Sequence, residues 1–267
     1  LRCHYCGYET QSPKVCPSCG SGYIGSFRAG TQKIEEIVKK RYPEARVLRM
    51  DTDTTKGKDG HQKILAAFAN READILVGTQ MIVKGHDFPD VTLVGVIAAD
   101  LSLNMDDYHC GERTFQLLTQ AVGRSGRGNK AGHAVIQTYQ PEHYSIQAAA
   151  IQDYEKFYKE EMMYRMLLDY PPAAHMMTVF GACQDEELLK KAMYYIEVFI
   201  RRVSPKEELH MIGPASASVG KVKDVYRQVL HLKHTDIRFL TAVREKLEKY
   251  IEINSGFRKI YIQYDMM

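Results

Sequence analysis

The run Gln120 to Gly128, QAVGRSGRG, sets two arginines, Arg124 and Arg127, three residues apart in a frame of glycines. A planar guanidinium offers two parallel, charge-assisted hydrogen bonds and keeps its proton, so arginines held this way suit phosphate oxygens. A second stretch, GTQMIVKGHDFPDV from Gly78 to Val91, follows a short apolar strand pattern, at the end where open α/β sheets present their ligand loops. There the Thr79 hydroxyl and the backbone N–H groups beside Gly78 suit a nucleic-acid phosphate. Asp87, just after the small Gly85, is a carboxylate fit to accept a ribose hydroxyl.

Four of the six cysteines form two Cys-x-x-Cys knuckles, Cys3 with Cys6 and Cys16 with Cys19, each followed by a glycine. In a reducing compartment such pairs read as metal ligands, Zn2+ first, before disulfides. Only nine residues separate Cys6 from Cys16, fewer than the ~15–20 usual within one ribbon. Either one compact four-sulfur site forms, or each knuckle pairs with partners outside the chain. Cys110 and Cys183 stand alone and read as ordinary thiols. A further basic cluster, Lys221, Lys223 and Arg227, lies in and just before the alternating stretch VYRQVLHLKH. Its period of two puts Tyr226, Leu230 and Leu232 on one face and Arg227, His231 and Lys233 on the other. The basic strip is then a solvated sheet face or a contact for nucleic acid or an acidic partner.

These residues need elements to hold them. At 267 residues, 45% hydrophobic and 26% charged, the chain has room for about two domains, at roughly 150 residues each. A net charge of +3 leaves any nucleic-acid surface to local clustering and excludes a bulk positive field. No apolar run approaches the ~18 residues of a membrane span and no export signal opens the chain, so the expected location is cytoplasmic, with no membrane contact. Residues 1–21 hold the knuckles. From 22 to 141, strand patterns (GYIGSF, ARVLRMD, ADILVGT, VTLVGVIAAD, GHAVIQTY) alternate with helical ones, which predicts a parallel sheet with helices on both faces. Thr31 is the predicted N-cap of the first helix, and the wholly apolar strands are predicted to be buried on both faces. Residues 142–172 read as a bridging helix ended by Pro171 and Pro172, and residues 173–267 read as βαββαβ, the split βαβ sandwich.

A Gly-Asp loop followed in order by Gln-x-x-Gly-Arg-x-Gly-Arg resembles lobe two of superfamily 2 helicases. The longer strings GTQMIVKGHDFPDVTLVGVIAAD and ERTFQLLTQAVGRSGRG, with the knuckles and the Tyr-Pro-Pro break, resemble the primosomal replication-restart DNA helicases along the whole chain. The resemblance implies a RecA-like second lobe, zinc knuckles emerging from it, and a small C-terminal domain. It implies ATP with Mg2+ clamped between two lobes, the first supplying the phosphate loop and the acidic Mg2+ site. Arg127 would then meet the γ-phosphate with Arg124 as its neighbour, a contribution worth ~10³–10⁵ in rate in related nucleotidases. Gln120 and Gly123 would fix the loop, Gly85 and Asp87 would lie near the ribose, and Gly78, Thr79, Gln80 and Lys84 would touch the DNA backbone.

By the same resemblance, Cys3, Cys6, Cys16 and Cys19 are the last two of four pairs interleaved into two zinc sites. The partners implied are forked and single-stranded DNA, single-strand-binding protein and other primosome proteins, with the protein itself a monomer. The activity implied is 3′→5′ unwinding in replication restart and primosome assembly. Two departures stand out: Tyr108-His109-Cys110 replaces the usual Phe/Tyr-Arg-Ala, which weakens a basic contact at His109, and Ser125 replaces the more common alanine. The chain opens at Leu1 and has no phosphate loop of its own: GPASASVGKVKD is the nearest decoy, with Ala215 and Val222 where Gly and Ser/Thr are required. It is therefore expected to be a C-terminal portion, inactive as an ATPase without lobe one. Two other functions fit parts of the sequence: a non-catalytic zinc-ribbon nucleic-acid-binding module, which has no need of the arginine pair, and an RNA helicase lobe, which the knuckles and C-terminal pattern disfavour.

Overall fold

The computed structural model describes residues 9–11, 13–17, 19–22, 30–55, 60–82, 88–105, 107–126, 131–204 and 209–267. They fall into two compact units: an α/β unit, Ser18–Met105 with His109–Phe157, and a C-terminal unit, Leu1–Pro17 with Asp106–Tyr108 and Tyr158–Met267. Among the described residues no helix is long and apolar enough to cross a membrane.

The α/β unit runs α1 (Thr31–Arg41), β1 (Val47–Met50), α2 (Gly60–Ala69), β2 (Ile75–Gly78), β3 (Leu93–Val96), α3 (Asp100–Leu103), α4 (Cys110–Val122), β4 (His133–Ile136) and α5 (Tyr144–Ala150). Its strands are parallel, as the helix-strand alternation predicts, but among the described residues they form two separate pairs in place of one sheet. Val47 to Met50 lie opposite Ile75 to Gly78, and Leu93 to Val96 lie opposite His133 to Ile136. Residues 23–27 of the strand predicted at GYIGSF lie outside the described residues.

Two local expectations change. Thr31 does not cap α1: the N-cap is Gly30, and the Thr31 hydroxyl instead donates to Asp51 at the end of β1. β3 is not buried on both faces either. α4 packs against it, while Leu93, Ile97 and Val135 remain exposed. An unbroken apolar run cannot by itself tell one covered face from two.

α4 is the spine of this unit. Thr114, Phe115, Leu118 and Ala121 are buried along one stripe, as positions at i, i+4 and i+7 with a neighbour at i+1 share one helix face. Phe115 stacks on Phe157 with centroids 4.2 Å apart. The exit of β4 is tied to the start of α3 by Asp100, whose buried carboxylate accepts from Thr138 Oγ1 at 2.8 Å and from Tyr139 N at 3.0 Å.

The chain passes into the C-terminal unit within α6 (Tyr154–Leu167) and continues as β5 (His175–Cys183), α7 (Glu186–Val203), β6 (His210–Val222), β7 (Val225–His234), α8 (Ile237–Ile253) and β8 (Tyr261–Met266). The sheet order is β6-β7-β5-β8, antiparallel throughout, so the two central strands are the first and third of the βαββαβ order. Asp185 and Asp236 cap the two helices, accepting from Leu188 N and Arg238 N. Met177, Val179, Leu230 and Leu232 point at Leu189, Ile196, Leu240 and Leu247, and all eight are fully buried. Each such side chain contributes about 1.5–3 kcal/mol by leaving water. The decoy loop GPASASVGKV is part of β6, an extended strand.

Candidate nucleotide and nucleic-acid site

The first part of the site is the end of the β1–β2 pair. Met50 lies opposite Gly78, and a Cβ on Gly78 would sit 2.5 Å from the Met50 carbonyl oxygen. Only glycine lets the two backbones approach this closely. Beyond it, Thr79 and Gln80 are exposed and the chain turns through a short 3-10 helix, Gln80–Ile82, with Ile82 N donating to Thr79 O at 3.2 Å.

Beside this turn, from the same end of the pair, leaves a loop organised by Asp51. Its carboxylate accepts from Thr31 Oγ1 at 2.5 Å and from the backbone N–H groups of Asp53 and Thr54 at 3.0 Å each. The Thr31 hydroxyl, the Thr54 N–H and nearby Arg49 hold its pKa down at about 2. Thr31, Asp51 and Thr54 are not among the site residues that the sequence motifs mark. Their signal in the sequence is the Asp-Thr-Asp-Thr-Thr run straight after a strand, the composition of an Asx turn.

The second part is the arginine turn. After α4, Gly123 N donates to Thr119 O, Arg124 N to Ala121 O and Ser125 N to Val122 O, so the helix tightens and stops. Gln120 is exposed on the last turn, and Gly123 and Arg124 are half-buried. Gly126, at φ +74, reverses the chain, and its N–H donates to Val91 O at 3.1 Å. A Cβ on Gly126 would lie 2.8 Å from Gly132 N, and one on Gly132 would collide with the Gly126 backbone. The backbones of residues 126 and 132 are thus held in close approach. Val91 ends the same loop that begins at Gly78, so one backbone bond joins the two motifs.

Residues 88–90 are fixed from α2 and the turn after it. Phe88 meets Phe68 edge-on at 5.0 Å, and the Arg71 guanidinium donates to Asp90 Oδ2 at 2.6 and 3.1 Å. Lys84, Gly85, Asp87 and Arg127 lie outside the described residues.

Comparison with known proteins agrees with this order of parts. Residues 24–129 match the helicase conserved C-terminal domain, and residues 166–267 match the primosomal protein N C-terminal domain. Over all 267 residues the chain is 43% identical to the replication restart protein PriA of Bacillus subtilis (strain 168), of which it covers 33%. The chain belongs to the PriA family. It is also 43% identical over 234 residues, 88% of its length, to the Synechocystis PriA, covering 28% of that protein. Against the Borreliella burgdorferi PriA it is 33% identical over 266 residues, 99% of its length and 39% of that protein. The chain therefore spans about a third of the length of the PriA proteins it matches.

The remaining predicted residues are more scattered. Cys16 is half-buried and Cys19 exposed, neither in a disulfide, and Gly20 after them has φ +70. Two thiols at this spacing before a left-handed glycine fit half of a tetrahedral zinc set. Cys3 and Cys6 lie outside the described residues, and among those described no group of three or more His, Cys, Asp or Glu is placed to hold a metal.

In the C-terminal unit, Lys223 (φ +47) and Asp224 (φ +62) make the tight turn between β6 and β7. Lys221 binds Asp224 at 3.0 Å and lies 4.7 Å from the Tyr226 ring centroid. Asp224 holds the Lys221 ammonium above its ordinary pKa. Arg227 is half-buried opposite Ala182. The alternation that predicts an exposed basic row is interrupted at its far end: Lys233 is 5% exposed, and His231 is hydrogen-bonded to Thr178. Strand periodicity assigns faces but says nothing of what covers them.

Proposed function

We propose that the chain is the second motor lobe and C-terminal domain of an ATP-dependent 3′→5′ DNA helicase acting in replication restart and primosome assembly. The observation that carries this reading is the Gly126 N to Val91 O bond. It couples the turn that bears Arg124, and leads directly into Arg127, to the loop that starts at the exposed Thr79 and Gln80. In a motor of this class the phosphoryl group gathers charge as it transfers, and a guanidinium aimed at it stabilises that charge without reorganisation.

Arg127 takes the γ-phosphate and Arg124 stands beside it. Gln120 and Gly123 set the turn, Gly85 and Asp87 meet the ribose, and Gly78, Thr79, Gln80 and Lys84 line the DNA backbone. A neighbouring lobe brings ATP and Mg2+, so movement of one lobe against the other reaches DNA and nucleotide through one loop. Cys16 and Cys19 complete zinc sites with Cys3, Cys6 and further thiolates. Lys221, Lys223 and Arg227 offer a contact for single-stranded DNA or an acidic partner such as single-strand-binding protein, and the working form is a cytoplasmic monomer.

The test is Arg127→Ala in the full-length protein. It should abolish DNA-stimulated ATP hydrolysis, a loss on the order of 10³-fold or more, while DNA binding by fluorescence anisotropy stays close to wild type. Unchanged turnover would remove the finger role.

A further inference from the structure

Gln152, in the turn that separates α5 from α6, holds φ at +54. This is left-handed backbone, which the Cβ of an L-residue opposes. Its local task is to reverse the chain. Gln152 N donates to Ala149 O at 3.2 Å and Asp153 N to Ala148 O at 2.9 Å, the two bonds that close a helix through one left-handed residue. Asp153 then starts α6 by accepting from Lys156 N at 2.9 Å.

Glycine makes such a reversal with no Cβ in the way, and asparagine is the usual second choice because its short amide can bond the adjoining backbone. Glutamine has the Cβ and is one methylene too long for that local bond. Gln152 is also exposed, so burial does not select its length either. Capping α5 accounts for the backbone at this position and leaves the side chain without a use.

The use lies at the end of α4. A Cβ built on Gly123 would stand 3.7 Å from Gln152 Nε2, with Thr119 O and Gln120 O at 3.1 and 3.8 Å from the same point. The amide therefore occupies the side of the helix end that glycine leaves bare, next to the last-turn carbonyls. A side-chain NH2 suits that place, since the C-terminus of a helix carries the negative end of its dipole. α5 packs along α4, and Ile146, Ala148 and Ala149 share one buried cluster with Phe115 and Leu118. The two helix ends are thus parts of one packed piece, wholly within the α/β unit. Arg124, half-buried, is the residue after Gly123, and its N donates to Ala121 O at 3.0 Å.

We propose that Gln152 is a positioning residue for the arginine turn: its amide fills the space beside Gly123 and steadies the helix end from which Arg124 projects. This role rests on the arginine reading above, and it gives the strained backbone at residue 152 a function.

The test uses the full-length protein. Gln152→Gly relieves the left-handed backbone and removes the amide. Gln152→Glu keeps the length, removes both N–H donors and sets a negative charge at the negative end of α4. In Gln152→Gly, stability and activity should move apart. The melting temperature holds or rises by roughly 1–3 °C. DNA-stimulated kcat falls about tenfold, with KM for ATP and DNA affinity within about threefold of wild type. Gln152→Glu should lose at least as much kcat.

The inference is overturned if Gln152→Gly keeps kcat within about twofold of wild type, which is what helix capping alone predicts, or if Gln152→Glu does. Glycine adopts this backbone freely, so the deciding variant keeps its fold. Arg124→Ala measured alongside separates the two claims. If it turns over normally, the arginine reading fails; if it is slow beside an unaffected Gln152→Gly, only the positioning role fails.

Discussion

Gly126→Ala is the sharpest probe of the close approach between residues 126 and 132. An alanine there must hold φ near +74, which costs an L-residue with a Cβ about 1–2 kcal/mol. Its Cβ would also lie 2.8 Å from Gly132 N and 3.0 Å from Gly132 Cα. Relaxed contact needs about 3.5 Å, so the two backbones must part by roughly 0.5–0.7 Å. Neither neighbour is a side chain that can swing aside, and forced separations of this kind cost about 1–3 kcal/mol. Together the penalty is about 2–5 kcal/mol, which should lower the melting temperature of the α/β unit by roughly 5–15 °C. The turn that bears Arg124 is displaced with it, and a shift approaching 1 Å in a group that must meet a transition state costs up to ~10²-fold.

The assay is DNA-stimulated ATP hydrolysis by the full-length variant, paired with thermal melting. Gly95→Ala serves as the control, since that glycine has open space around its Cβ position. If Gly126→Ala melts and turns over like Gly95→Ala, the close approach of residues 126 and 132 does not hold the loop, and the reasoning fails.

Gly78→Ala should force Met50 and Gly78 apart and destabilise the β1–β2 pair by about 1–3 kcal/mol, seen as faster amide exchange at Leu76 and Val77 and weaker DNA binding. Gly181→Ala should cost less, about 1 kcal/mol or under, because its Cβ would meet the flexible ends of Met193 and Leu189; chemical denaturation of the C-terminal unit reports it. Asp51 has a folded pKa of about 2 against about 3.9 when unfolded. Its contribution to stability is therefore complete above pH ~4 and lost as pH falls towards ~2; the stability gap between wild type and Asp51→Asn, measured by urea unfolding, should close over that window. Phe115→Ala, which removes the ring stacked on Phe157, should cost about 3–5 kcal/mol by the same measurement.

The C-terminal unit is legible in the sequence almost residue by residue. β5, β7 and β8 follow alternation, α7 and α8 follow the 3.6 period, and each helix is announced by an aspartate that caps it. The α/β unit is less so. Its strands are four residues long, too short for a pattern to distinguish one covered face from two or to say which strands pair.

Within the site, Gly78 and Gly126 stand out from sequence because glycine in a motif signals a close approach or a reversed chain. Asp51 does not, because its role depends on Thr31, twenty residues earlier, reaching the end of a strand. The stacking of Tyr108 on Tyr170 is hidden for the same reason. Tyr108 and Lys233 each lie far in the chain from Arg165 and Tyr170, and a lysine in an alternating strand carries no mark of burial.

The outer strand of the C-terminal sheet, β6, slips register against β7 twice, between Ile212 and Ala215 and again between Ser216 and Lys221. Such slips bend and twist a boundary strand, and Pro214 within it has no N–H to offer a newcomer. The rim of the sheet is in effect serrated, and a straight peptide laid along it finds donors and acceptors out of step. This irregular margin keeps one molecule's sheet from seeding growth of another's, and it does so with backbone geometry that no change in salt or charge can screen away.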